Sequence, residues 1–92
     1  MEELTHILND KFIKLDREIA FHDLPYTDDF KNKILYKIGG IVHDACMARG
    51  YTYDVLKYDE NTVLFEVKNM LYGLIVTVLF RHHDVKIFLN CY

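Results

Sequence analysis

Five of the seven histidine and cysteine side chains are candidates for metal ligands, or for a nucleophile with its base. His43 and Cys46 stand three positions apart, a spacing that places both on one face of a helix. Neutral imidazole and thiolate are zinc ligands, and His82, His83 and Cys91 would complete such a site. The chain has no CxxC or HxxxH spacing, however. A zinc protein or a small enzyme built on these residues is therefore the alternative hypothesis.

The surroundings of the two cysteines favour packing over reactivity. Cys46 follows Ala45 on an apolar helical stripe, and Cys91 falls on the predicted core face of the last strand. A reactive cysteine needs an exposed, electropositive setting. The turn at residues 81–84, RHHD, has the residue types of a phosphate site but is equally an ordinary polar turn. We therefore predict a protein that is not an enzyme, with no catalytic residue, no metal and no cofactor.

A first helix is predicted over residues 2–20, because apolar residues recur every three or four positions. Ile7 widens this stripe, and Glu2 and Glu3 suit the positive end of the helix dipole. The stripe consists of Leu4, Leu8, Phe12, Leu15 and Ile19.

A second helix is predicted over residues 28–49, with Thr27 as its N-cap and Gly50 just past its end. Gly39 and Gly40 interrupt the pattern, and we expect them to allow a close approach by another element, with a mild bend. The predicted stripe consists of Phe30, Ile34, Ile38, Ile41, Ala45 and Ala48, broadened by Leu35, Val42 and Cys46.

From residue 51 onward the apolar period changes to two, which is typical of strands. Four strands are predicted, at residues 51–58, 62–68, 71–80 and 85–91. Their short connections imply an antiparallel meander. The third contains LYGLIVTVLF, an uncharged run too short to cross a bilayer as a helix, which needs roughly 20 residues. The chain is thus predicted to be a single α+β domain, ααββββ, with residues 1–50 helical and residues 51–92 forming the sheet.

The strand alternation leaves a second sheet face that is largely apolar. The core face takes the odd-numbered residues of the second and fourth strands and, in the third, the even-numbered set from Tyr72 to Phe80. A one-sided antiparallel sheet normally shows polar residues opposite its core, so an apolar patch there indicates an interaction site. We expect it to hold a second copy of the chain or another protein. Its predicted members are Leu64, Glu66, Ile75, Thr77, Leu79, Phe88 and Tyr92.

The net charge of −3 is unevenly distributed along the chain. Residues 1–29 carry eight acidic and three basic side chains, whereas residues 30–92 carry six acidic and eight basic ones. This argues against direct nucleic-acid binding and suits a basic protein surface, or, in a sharper variant, mimicry of DNA phosphates. The candidate acidic contact residues are Asp10, Asp16, Glu18, Asp23, Asp28 and Asp29.

The composition, 51% apolar and 27% charged, is that of a globular protein. An acidic start at Glu2 and Glu3 is unlike a secretion signal, and two cysteines are too few for a disulfide scaffold. We therefore expect a cytoplasmic protein. In size and composition the chain resembles small accessory proteins of large lytic phages, a resemblance that implies host-takeover or anti-defence binding. The leading hypothesis is a non-enzymatic inhibitor or adaptor that binds a protein and forms a homodimer.

Overall fold

Two helices precede four strands in the computed structural model, which describes residues 2–19, 27–57, 59–81 and 85–91. The strands form one antiparallel sheet in the order β1-β2-β3-β4. The predicted ααββββ arrangement is therefore confirmed. The helices are α1 (Glu2–Ile19) and α2 (Asp28–Arg49), and the strands are β1 (Thr52–Lys57), β2 (Thr62–Lys68), β3 (Gly73–Phe80) and β4 (Val85–Cys91).

Helix α1 buries the apolar stripe that its sequence predicts. All five stripe residues, from Leu4 to Ile19, are buried, and Ile7 is half-buried beside them. Arg49 from the end of α2 donates to Glu3 at 3.0 Å, which ties the two helices together near the start of α1. Neither described helix has the length and apolar composition needed to cross a membrane.

Both predicted caps of α2 are confirmed. The Thr27 side chain accepts a hydrogen bond from the backbone N–H of Phe30 at 3.1 Å. Gly50 has a φ of 72°, in the left-handed region, and its N–H bonds to the carbonyl of Cys46. The left-handed conformation suits glycine because it has no Cβ to clash with the backbone.

The close approach by another element that was expected at Gly39 and Gly40 is not found. A Cβ added at Gly39 would lie 3.9 Å from the Phe65 ring, which is ordinary contact, and one at Gly40 would meet nothing within 4 Å. Helix α2 continues through both positions. No neighbouring element therefore requires glycine at either place.

The buried stripe of α2 also differs from the prediction at its C-terminal end. Val42 and Cys46 are fully buried, whereas Ala48 is exposed and Ile41 only half-buried. The core follows the four-residue spacing that starts at Phe30, so the stripe winds towards Cys46 rather than Ala48.

The core side of the sheet is the one predicted. The odd-numbered residues 63–67 of β2 and the even-numbered residues 74–80 of β3 are buried, in one cluster with the helix stripes. Helix α1 packs beside β4 and α2 beside β1. Two predicted members of this face are exposed instead, since Tyr72 precedes β3 in a turn and Cys91 lies at the end of edge strand β4.

Candidate binding surface

The second face of the sheet, called here the open face, lies opposite both described helices. Hydrogen-bonded register across the four strands sets its side chains in rows. The central row contains Leu56, Leu64, Thr77 and Phe88, on β1 to β4 respectively. Because directly opposite residues in neighbouring strands point to the same face, these four side chains form a continuous band across the sheet.

The residues predicted from strand alternation share this surface. Leu64, Glu66, Ile75, Thr77 and Leu79 are half-buried on the two central strands. At the sheet's edge, the Phe88 side chain is 46% exposed. Tyr92, the remaining predicted member, lies outside the described residues. An apolar patch therefore occupies the side of the sheet on which a one-sided antiparallel sheet normally carries polar groups.

Leu56 belongs to the open face and was missed by the sequence reasoning. It lies opposite Leu64 and is 47% exposed. Alternation in β1 is weak because Val55, on the helix side, is exposed as well. The signal that identifies Leu56 is the pairing of β1 with β2, which fixes the face of each β1 residue once the turn between the two strands is placed.

Charged groups lie at two separated places around the apolar band. Asp54 pairs in register with Glu66 on β1 and β2, and Glu66 forms a salt bridge with Lys68. Lys86 lies on β4, opposite Leu79 and on the other side of the central row. The open face thus has an acidic corner and a basic corner that are diagonally related.

A second exposed apolar segment, absent from the sequence predictions, is the turn between β2 and β3. Met70 is fully exposed, Leu71 is 81% exposed and Tyr72 is 55% exposed. The Asn69 Oδ1 accepts hydrogen bonds from the backbone N–H groups of Leu71 at 2.9 Å and Tyr72 at 2.7 Å. Asparagine at the start of this turn is the local signal that could have indicated it.

The predicted acidic contact residues within the described part of the chain are exposed, but they do not form a continuous row of negative charge. Glu18 accepts from Lys37 at 2.8 Å across the two helices, so part of its charge is neutralised. Asp28 and Asp29 occupy the first turn of α2, where the positive end of the helix dipole stabilises their carboxylates. Asp10 and Asp16 are exposed on α1, and Asp23 lies outside the described residues.

His43 and Cys46 share α2 but do not converge on one site. The exposed His43 ring places its Nδ1 3.0 Å from the hydroxyl of Tyr53, and the two rings meet edge to face. The Cys46 side chain is fully buried, and that burial raises the pKa of its thiol. A buried, protonated thiol is a poor nucleophile and a poor metal ligand.

The other members of the metal hypothesis give no ligand cluster in the described part of the chain. Cys91 is exposed, with its sulfur 3.7 Å from the Thr5 hydroxyl. His82 and His83 lie outside the described residues. Among residues 2–19, 27–57, 59–81 and 85–91, no three histidine, cysteine or acidic side chains are grouped as ligands.

Comparison of the chain with protein-family models, curated proteins and solved structures gave no match.

Proposed function

We propose that the chain is a small non-enzymatic binding protein whose open face associates with a protein surface. The observation that carries this proposal is the apolar band from Leu56 to Phe88, which lies opposite both described helices. The role is that of an inhibitor or adaptor, which acts by occupying a surface rather than by transforming a substrate.

The energetics favour covering this face. Full burial of a leucine or phenylalanine side chain contributes about 1.5–3 kcal/mol, so covering the half-exposed Leu56 and Phe88 contributes roughly 1 kcal/mol each. The half-buried Leu64, Ile75 and Leu79 add to this apolar area. Charged groups lie at two corners beside the band, and charged or polar groups beside an apolar centre are typical of protein interfaces.

The proposal places a protein, not a nucleic acid, on the open face. The net charge is −3, and the face carries acids as well as lysines, so it offers no surplus of positive charge to neutralise phosphates. The exposed Asp10, Asp28 and Asp29 would add attraction to a basic partner. Pairing of Glu18 with Lys37 weakens the DNA-mimic variant, because it breaks the row of negative charge that such mimicry requires.

Site-specific photo-cross-linking in the cells that produce the protein tests this proposal. A benzoylphenylalanine is placed at position 88 in one variant and at position 36 in the matched control. Tyr36 is an aromatic residue of α2 that is 85% exposed. We expect a discrete protein adduct from position 88 and little or none from position 36. Absence of any adduct at position 88, or equal labelling at both positions, contradicts the proposal.

A further inference from the structure

The charges on the open face are arranged so that the face complements itself. Asp54 and Glu66 lie side by side, one row from the central row and towards β1. Glu66 is paired with Lys68 of the same chain, so Asp54 supplies the net negative charge of this corner. Lys86 lies one row from it in the other direction, on β4 at the opposite edge. The middle of the line joining these corners falls between Leu64 and Thr77, which face each other at the centre of the sheet.

We propose that a second copy of this chain covers the open face. The two copies are related by a two-fold axis that passes between Leu64 and Thr77, lies in the plane of the interface and is perpendicular to the line joining the two corners. This inference rests on the proposed function and names the partner of the same surface. The rotation places the acidic corner of each copy over Lys86 of the other, so the dimer contains two equivalent charge contacts. Closed two-fold interfaces require such self-complementarity.

The same rotation brings apolar groups together. Phe88, near the edge of one sheet, comes to lie over the region of Ile75 in the second copy, and Leu56 over the region of Leu79. The two corners are three strands apart across the sheet and four residues apart along it, roughly 14 Å in each direction, so the rotation crosses the strands of the two sheets at roughly 90°. Orthogonal packing is one of the two common arrangements of stacked sheets. Each copy keeps its helices on the outside, so the dimer has four layers, with the two sheets at its centre.

The area of the open face determines how tightly the dimer is expected to form. Four strands about 4.8 Å apart and about seven residues long give a face of roughly 19 by 23 Å. Counted over both copies this is about 900 Å², in the range of weak, transient interfaces, so we expect a dissociation constant on the order of 1–100 µM. Measurements must therefore extend to several hundred micromolar protein.

Sedimentation equilibrium of the purified full chain, from about 5 to 500 µM, tests the second copy. We expect a reversible monomer–dimer equilibrium for the wild type and for Tyr36→Glu, which changes an exposed aromatic residue of α2. Phe88→Glu should weaken dimerisation by at least roughly tenfold, because it places an unpaired charge in an apolar contact. Circular dichroism confirms that each variant is folded.

A charge exchange makes the test specific to the proposed symmetry. Asp54→Lys and Lys86→Glu should each weaken the dimer, and the double variant, which exchanges the two charges, should recover at least part of that loss. Wild-type protein that stays monomeric at 500 µM overturns the inference. So does a dimer that Phe88→Glu leaves intact, or a double variant no tighter than the weaker single variant.

The two proposals fail in different ways. A monomeric wild type whose position 88 cross-links to a different protein removes the second copy and retains the open face as a binding surface. A cross-link between two copies supports the second copy and retains the open face as a protein-binding surface, and it assigns any inhibitor or adaptor role to other surfaces of the dimer. No cross-link at all, together with a monomer at high concentration, contradicts both.

Discussion

Leu64 in β2 lies directly opposite Thr77 in β3, at the centre of the sheet and on the side away from both described helices. Both side chains are half-buried by their neighbours within the sheet. This pair marks the middle of the apolar band, and it is the point about which the acidic and basic corners are balanced. The proposed protein-binding surface and the proposed two-fold dimer are both based on the residues around this pair.

Replacing Gly40 by alanine is predicted to stabilise the protein. The added Cβ meets nothing within 4 Å, so the change restores helix propensity without a clash. Gly40→Ala should raise the free energy of unfolding by about 1 kcal/mol, measured by urea denaturation.

Gly50→Ala is the matched control for that measurement. Gly50 has a φ of 72°, so the same substitution should lower stability there by about 1 kcal/mol. If Gly40→Ala destabilises as much as Gly50→Ala, then α2 requires glycine at position 40 for a reason that the packing does not show.

The turn that exposes Met70 and Leu71 is predicted to depend on Asn69. Asn69→Ala removes the acceptor of two backbone N–H groups and should lower the free energy of unfolding by about 1–2 kcal/mol. Amide hydrogen exchange at Tyr72 should become faster. Asn69→Asp, which keeps the oxygen acceptor, should stay close to wild type. An Asn69→Ala variant with unchanged stability and exchange would show that the turn forms without this side chain.

Stability is predicted to fall at alkaline pH through Cys46. Its pKa is raised in the folded protein by burial, above an ordinary value of 9.0 that applies when the chain is unfolded. As the pH rises, the Cys46 thiol therefore loses its proton at a lower pH in the unfolded chain than in the folded protein. The free energy of unfolding decreases as a result. This contribution is fully present below about pH 8 and is lost progressively as the pH rises through 9 and above.

Urea denaturation between pH 7 and 10 checks this prediction by comparing variants. Cys46→Ala should show a shallower alkaline loss than the wild type, whereas Cys91→Ala, at an exposed position, should follow the wild type. A thiol reagent should also modify Cys91 much faster than Cys46 in the folded protein. Equal pH slopes in all three proteins would contradict the assignment.

Local signals were sufficient for most of the fold. Thr27 and Gly50 predicted the ends of α2 because capping depends on a few adjacent residues. Alternation predicted the faces of β2 and β3, where one side packs against helices. Strand bounds were also close, although β3 begins at Gly73 instead of residue 71, since Asn69 holds the two intervening residues in a turn.

Three of the failures concern contacts between distant parts of the chain. The space beside Gly39 depends on the position of Phe65 in another element. Leu56 joins the open face only through its pairing with Leu64. The exposure of Cys91 follows from its place at the end of an edge strand, which alternation alone does not encode.

A dimer formed through the open face would leave other surfaces for a further partner. The Met70–Tyr72 turn and the exposed acids of α1 lie outside the central band. An inhibitor or adaptor role would then be carried by these surfaces, with two copies of each in one particle, which raises the effective affinity for a repeated target.

The central claim is that another protein molecule covers the open face inside the cell. Hydroxyl-radical footprinting in the cells that produce the protein, compared with the dilute purified chain, measures this directly. We predict that oxidation of Phe88 is several-fold lower in cells, while Tyr36, which is 85% exposed on α2, is oxidised to the same extent in both samples. Equal oxidation of Phe88 in cells and in dilute solution would contradict the account.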